Sequence, residues 1–506
     1  MVRAGRDIVG AGLAPGVTKI SAVGGFNSRG NLIVHNNPND ISIVSAGRDI
    51  VFANFDIAGP GVLEVSAGRN LYQADKGSIT SIGPIAIDDK RPGASILMQA
   101  GVGTNGPDYA ALTTYLDPAN LAVTGVPLAD QAGKVAKTYE KELADWLKER
   151  FDFAGTVEEA RTYFAVLAPE QQGSFLRQVY FAELKAGGRE YNDRQSSRYG
   201  SYFRGRQAIA TLFPERDEAG NVLQRAGDII MFGGSGVRSN FGGDIQMLAP
   251  GGQIVVGVEG QVPPASAGVL TLGPGGIQMY SKGSILLGLS RIMATMGGDV
   301  LAWSAEGDIN AGRGAKTTIG YVPPRRVYDD YGMVTLSPNA PSSGAGISAR
   351  SVIPGIRSGD VDLIAPLGTI DIGEAGVSGR NVNLAALQII NAANIQAQGN
   401  VTGVPTVQAP PVAALSTSSN LTAATQQAQP IAPSTNDRPS IIIVEFLGFG
   451  GGDGTSPDGG EERRRRDQGR QSYDPTSSVQ YVGVGQLTDD QLRKLTPEEQ
   501  HRLARQ

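Results

Sequence analysis

Val44-Ser45-Ala46-Gly47-Arg48-Asp49-Ile50 and Val65-Ser66-Ala67-Gly68-Arg69-Asn70-Leu71 are one phrase written twice, 21 residues apart. Ala4-Gly5-Arg6-Asp7-Ile8 carries it again, 42 residues before Ala46, which reads as two such periods. A fixed period in the twenties is the mark of a solenoid, in which each repeat stacks on the last. Apolar residues alternate over short runs (Ile41, Ile43; Leu63, Val65) and are broken by Gly and Asp or Asn. That is a strand-and-turn pattern, not a helical one. Gly before Asp or Asn suits a corner, because glycine takes positive φ without a Cβ clash. The expected fold is mainly β: a parallel β-helix carrying extra pieces.

Composition narrows the function. The chain has 506 residues with 69 Gly, 18% charged residues and a formal net charge of −5. The glycine has no collagen period and fits a turn-dense β protein. Nucleic acid is not expected as a partner, since that calls for a basic surface. Cysteine is absent, which excludes disulfides, iron–sulfur clusters and thiol catalysis together. The two histidines, His35 and His501, are far apart, so no multi-histidine metal site is expected within one chain. No run of 18 apolar residues suggests a transmembrane segment. Met1–Asp7 has no apolar core of a signal peptide and begins inside a repeat phrase. A solenoid normally covers its first coil. The expectation is therefore a C-terminal part of a longer protein, or a first coil covered by something else.

The chain divides into five parts. Residues 1–127 form a first β-solenoid block, with strands such as Leu32-Ile33-Val34, Ile41–Ser45, Gly61–Ser66 and Ser95–Gln99. Pro84, Pro92, Pro107 and Pro118 mark the break that follows. Residues 128–214 form an α-helical insert. Val135, Tyr139, Leu143, Trp146, Leu147 and Phe151 hold helical spacing, and Thr156-Val157-Glu158-Glu159 fits a capping box. A third helix is expected from Pro169 to Ala186, stopped by Gly187-Gly188, and a fourth over about Arg194–Phe213. Residues 215–402 resume the solenoid. Corners recur nine residues apart (Gly243 and Gly252, Gly298 and Gly307, Gly359 and Gly368), as the two edges of one face would. Ile245, Met247, Ile254, Val256, Val300, Ile309, Leu363, Ile370 and Ile372 are expected to point inward. Pro-rich rim loops fall at Val262–Gly268 and Tyr321–Gly346. At a uniform 21 residues per coil, such a rod would hold about 15 coils and run about 70 Å. Residues 403–440, rich in Ala, Thr, Ser, Gln and Pro, read as a flexible linker. Residues 441–506 are a tail with β-prone runs at Ile441–Leu447 and Val479–Val484, and a short helix starting at Thr496-Pro497.

No P-loop, G-x-S-x-G or H-E-x-x-H pattern is present, so no catalysis is expected. Stacked Gly-Asp corners could collect Ca²⁺, but Asp in a turn more often serves the backbone, and that is the expectation here. Arg6, Arg48 and Arg69 are expected to pair with Asp7 and Asp49 rather than to form a basic stripe. Arg463–Arg466, among acids, reads as a solvated tail. The apolar insert residues Tyr139, Leu143, Phe164, Leu176 and Phe181 read as core. The remaining candidate contact surface interleaves aromatics with arginine: Tyr191, Arg194, Arg198, Tyr199, Tyr202, Phe203, Arg204 and Arg206.

The phrases V-S-A-G-R-D-I, G-G-D-I-Q-M-L-A-P-G-G-Q-I and S-G-D-V-D-L-I-A-P-L-G-T-I-D-I-G resemble the C-terminal region of filamentous haemagglutinin-type exoproteins. Val179-Tyr180-Phe181-Ala182-Glu183-Leu184 and Ile443-Val444-Glu445-Phe446-Leu447-Gly448 fit the same resemblance. It implies a right-handed parallel β-helix, export through an outer-membrane two-partner secretion transporter, and adhesion at the bacterial cell surface. A secreted, outer-membrane-associated adhesin would bind a host-cell surface protein or glycan, without catalysis or cofactor. The family's N-terminal secretion domain is not visible in this sequence, and no binding residue carries over. Two rival readings are a carbohydrate-active β-helix enzyme, such as a polysaccharide lyase, and a stalk or carrier whose tail docks to the secretion pore.

Overall fold

The two copies of the phrase stack directly on each other. Val44 pairs with Val65 and Ala46 with Ala67 in parallel register. The computed structural model describes residues 1–10, 20–23, 35–52, 54–73, 75, 77–84, 89–103, 106–217, 219–257, 267–314, 318–319, 325–328, 334–337, 342–351 and 353–404. All belong to one compact unit, Met1–Gln408. The expected Arg29–Val34 corner and strand, the linker and the tail with its strands and helix lie outside the described residues, apart from positions 403–404.

Most coils place three strands on three faces; in the eighth and ninth, one long strand, Val361–Asp371 or Val382–Ile390, spans the first two faces. In one early coil these are Ile41–Ala46, Ile50–Val51 and Phe55–Ala58. In a later one they are Ile277–Ser281, Ile285–Leu287 and Arg291–Ala294. Like positions form columns through the interior. On the first face Val44, Val65, Met98, Met247, Met279, Ala302, Leu363 and Leu384 stack in sequence. On the second, Ile8, Ile50, Leu71, Ile229, Ile254, Ile285, Ile309, Ile370 and Ile389 do. The third runs from Phe55 and Ile79 to Val377 and Ile395. Burying one such side chain contributes about 1.5–3 kcal/mol. The repeated branched aliphatic after each corner is thus the main reason for the fold. All nine residues expected to point inward lie in this core.

The coils are fewer and less uniform than one period suggests. Ala4 pairs with Ala46 itself, so the 42 residues between them are one coil, not two. Ile96 pairs with Ile245 across the helical insert, and Val300 with Val361 across the rim loop, where Arg325–Tyr328 and Val334–Ser337 form an antiparallel hairpin. The third face has nine strands, so the described rod is nine coils, about 40 Å at about 4.8 Å per coil. Stacking constrains only the strands; a coil can lengthen at any corner without disturbing the ladder.

Corner chemistry also differs from the expectation in one respect. Gly47 and Gly68 do not sit at positive φ. They are glycine because a Cβ on Gly68 would collide with the Gly47 carbonyl of the coil below, as one on Gly47 would with Gly5. The Asp or Asn that follows reaches to the adjacent coil. The Asn70 N–H donates to Asp49 Oδ1 at 3.0 Å, the Gln253 N–H to Asp228 at 2.9 Å, and the Asp360 N–H to Asp299 at 2.7 Å. Arg48 Nε donates to Asp7 at 2.7 Å and Arg69 Nε to Asp49 at 2.9 Å. The expected Arg–Asp pairing is therefore present, and it runs between coils.

The Arg69 bonds beside Asp49 hold its carboxyl below the ordinary 3.8, against the opposing effect of burial. A lowered folded value means the stabilisation is present above 3.8 and lost as pH falls through the folded pKa. Half of the Arg69 side chain is exposed, so solvent screens the pair and its contribution is small. The stability gap between the native chain and Asp49→Asn, measured by urea unfolding, should be constant above about pH 5 and close as pH falls through the lowered folded pKa. A gap that persists at the acid end would mean that the carboxylate charge is not what the corner uses.

Candidate functional site

From the fourth coil on, the first face is apolar outside as well as inside. Leu97, Leu248, Tyr280, Leu301, Trp303, Ile364 and Ala385 alternate with the core residues and point away from the solenoid, yet all are buried. A strand buried on both sides reads as a nearly continuous apolar run, as Ile245–Ala249 and Val300–Ser304 do. The cover is the helical insert, which leaves the solenoid after Gln99 and returns at Ile229, so it is longer at both ends than 128–214.

Among the described residues four α-helices and three short 3-10 turns build it. α1 (Glu140–Phe151) has acids in its first turn and Lys148 and Arg150 in its last, matching the helix dipole, and ends at Asp152 in the left-handed region. α2 (Val157–Ala165) has the expected capping box, with the Glu159 N–H donating to Thr156 and the Thr156 N–H to the Glu159 carboxylate. α3 (Pro169–Asn192) starts with Pro at its first position, and α4 is Phe203–Leu212. Tyr139, Leu143, Phe164, Leu176 and Phe181 pack in the shared cluster with the outer residues of the solenoid, as a core reading requires.

α3 lies along the rod and meets its coils one turn at a time. Arg177 Nε donates to Gln246 Oε1 in the fifth coil at 3.1 Å. Tyr180 packs edge-on against Tyr280 of the sixth, with ring centroids 5.9 Å apart. Lys185 Nζ donates to Asp299 of the seventh at 2.6 Å. Arg189 reaches Asp360 and Asp362 of the eighth at 2.8–3.0 Å. Asn192 Nδ2 donates to Asn383 and to the Leu384 carbonyl of the ninth, both at 2.8 Å. The match is metrical: a helical turn advances about 5.4 Å and a coil about 4.8 Å. Over four coils the two ladders drift apart by only a few ångströms, which long side chains absorb.

α3 does not stop at Gly187-Gly188, as the sequence reading expected; it runs through both to Asn192. The glycines serve close approach. A Cβ on Gly187 would lie 2.7 Å from the Gly205 nitrogen of α4, and one on Gly188 would collide with Ile364. Gly205 in turn has Trp303 against it.

The eight aromatic and Arg residues singled out from sequence do not share one surface. Arg204 is buried, bidentate to Glu183 at 2.6 and 2.8 Å and bonded to Glu190 at 2.6 Å. Arg198 donates twice to Glu190, and Tyr139 donates to Glu183 at 2.5 Å. Burial works against ionisation of Glu190, but the Arg198 and Arg204 guanidiniums outweigh it and hold its pKa below the ordinary range. Tyr191 and Tyr202 stack on each other with centroids 4.0 Å apart, and Tyr202 also meets Trp303. Arg194, Tyr199, Phe203 and Arg206 remain exposed, with Arg206 over the Tyr202 ring at 5.8 Å. Sequence reading missed the buried Glu183 and half-buried Glu190 that claim Arg198 and Arg204. It also missed the outward apolar column, whose signal was the two-sided strands.

The fold and its seam define the chain's class: a parallel β-solenoid with a helical cover lying along one face. Residues 297–406, which hold its last corners and coils, match the family described as filamentous haemagglutinin family outer membrane protein. This is the family that the repeated phrases resemble. No curated protein and no solved structure matches the chain. Among the described residues no helix is long and apolar enough to cross a membrane.

Proposed function

We propose that the chain is a non-catalytic segment of a surface-presented adhesin that attaches to a host-cell surface protein or glycan. The observation that supports this most is the family match over residues 297–406, which falls on the stacked coils of a rod. A rod of this kind gives long, repetitive faces for contact. Export by two-partner secretion belongs to the same proposal, through the family alone. Contact on the cover would use the exposed Arg194, Tyr199, Phe203 and Arg206.

The test uses the whole chain, because removing the cover would bare the Leu248–Trp303 apolar face and create non-specific stickiness. Binding to host-cell surfaces and a glycan array is measured for the native chain and for Tyr199→Ala/Phe203→Ala/Arg206→Ala. Saturable binding that weakens about tenfold or more in the triple variant, with unchanged unfolding, is expected. Saturable binding unaffected by it would move contact to the solenoid faces. Absence of binding would replace adhesion by a stalk or carrier role. Unsaturated products from uronate polymers would replace it by lyase chemistry.

A further inference from the structure

The polar ladder between α3 and the solenoid skips the sixth coil, where α3 makes the Tyr180–Tyr280 ring contact instead. Arg177 engages Gln246 above it and Lys185 engages Asp299 below it. Between them lies a cavity of about 170 Å³, lined by Phe181, Lys185, Asp244, Gln278, Asp299 and Leu301, among others. At about 30 Å³ per water this is room for five or six waters, close to the bulk of one six-membered sugar ring.

The lining has hydrogen-bonding capacity to spare, of both signs. Asp244 uses one carboxylate oxygen to accept the Gly276 N–H at 2.8 Å, and its second oxygen has no bond. Gln246 is committed at both ends, to Arg177 and to Gln278 Oε1. That leaves the Gln278 amide N–H₂ free to donate. Lys185 donates to Asp299 and has two further N–H groups. Phe181 and Leu301 supply the apolar walls. Asp244 is half-buried, and burial pushes its carboxyl up from the ordinary range. A neutral hydroxyl donor satisfies such a group without bringing a new charge into the seam. A carboxylate or phosphate ligand would face Asp244 and Asp299 together.

We propose that this slot binds one neutral, polyhydroxylated ring of monosaccharide size, with ring hydroxyls donating to Asp244, accepting from Gln278 and Lys185, and one ring face on Phe181 and Leu301. This deepens the adhesin reading and rests on it for biological meaning, but not for its test. The site sits where α3 and three coils meet, so an occupied slot also ties the cover to the rod.

The experiment is a titration of the full chain with methyl glycosides of glucose, galactose, mannose and N-acetylglucosamine, read by ligand-observed NMR. Ala182→Leu fills the slot from α3. Asp244→Asn keeps the Gly276 bond and turns the free acceptor into a donor. Saturable binding of at least one glycoside, weakened about tenfold or more in both variants with unfolding unchanged, is the expected result. Binding that survives Ala182→Leu places the ligand elsewhere and overturns the proposal. So does the absence of saturation for all four, which would leave a hydrated packing gap. If the glycosides fail while the chain still attaches to cells, only this inference falls. If they bind while attachment fails, the adhesin reading falls instead.

Discussion

Trp303→Ala is expected to destabilise the chain by about 3–5 kcal/mol, the usual range for deleting a buried aromatic. Trp303 is fully buried although it points away from the solenoid interior. Its ring lies against Gly205 of α4 and edge-on to Tyr202, at 6.2 Å and 83°. The same contact sets a sharper test. Gly205→Ala would ordinarily stabilise a helix interior by about 1 kcal/mol. Here the new Cβ collides with the indole, so the sign should reverse, to a cost of about 1–3 kcal/mol. In Trp303→Ala the clash is gone, and adding Gly205→Ala should restore the gain and part-fill the cavity. The two substitutions are therefore strongly non-additive. Urea unfolding can be followed by the fluorescence of Trp146, which sits in the same cluster and is the chain's other tryptophan. A stabilising Gly205→Ala in the native background would show that α4 does not press on the rod.

The parts of the fold that were legible in the sequence are those that repeat. Where the corner phrase is complete it states the inward aliphatic, the glycine and the Asx residue together, and each has one job. Ile50, Leu71 and Ile254 could be assigned to the interior from the phrase alone. Coil length was not legible in the same way. Stacking energy depends on strand register, so nothing in the phrase records how much chain lies between one strand and its partner. Ala4 and Ala46 look two periods apart and are neighbours. The cover was half legible. Its helices follow from apolar spacing and from the Thr156 capping box. What the helices lie on does not follow from helical spacing; it is written in the strands, where Tyr280, Leu301 and Trp303 occupy positions that a solvent-facing strand gives to polar residues. Gly187 and Gly188 were misread as a stop because glycine is ambiguous by nature. It ends a helix when the backbone must turn, and it stays inside one when another backbone must come close.

Arg189→Met tests whether the seam is held by charge or by shape. Asp362 is fully buried under α3 and takes two bonds from Arg189, both at 2.8 Å. Removing the guanidinium leaves a buried carboxylate with no cationic partner in bonding reach among the described residues. A fully buried pair broken in this way costs about 3–5 kcal/mol. The Arg189 side chain is 43% exposed, so solvent relieves part of that, and about 2–3 kcal/mol is expected. Asp360 is less affected, because Arg380 and Asn381 also donate to it, at 2.8 and 2.9 Å. The penalty should depend on pH with a definite sign. Burial already holds the Asp362 carboxyl above its ordinary range with Arg189 in place, and removing that counter-charge raises it further. The cost is then present above that folded pKa and relieved as pH falls through it, since a protonated carboxyl carries no charge to bury. Native and variant stabilities should draw together on acidification, as pH falls through the raised folded pKa of the variant's Asp362. Arg189→Met/Asp362→Leu should recover to within about 1 kcal/mol of the native chain at neutral pH, because two apolar groups restore the packing without a stranded charge. The pair would then matter for register more than for strength. It places one turn of α3 on one coil, and a slip by a coil would leave both Arg189 and Asp362 without their partners.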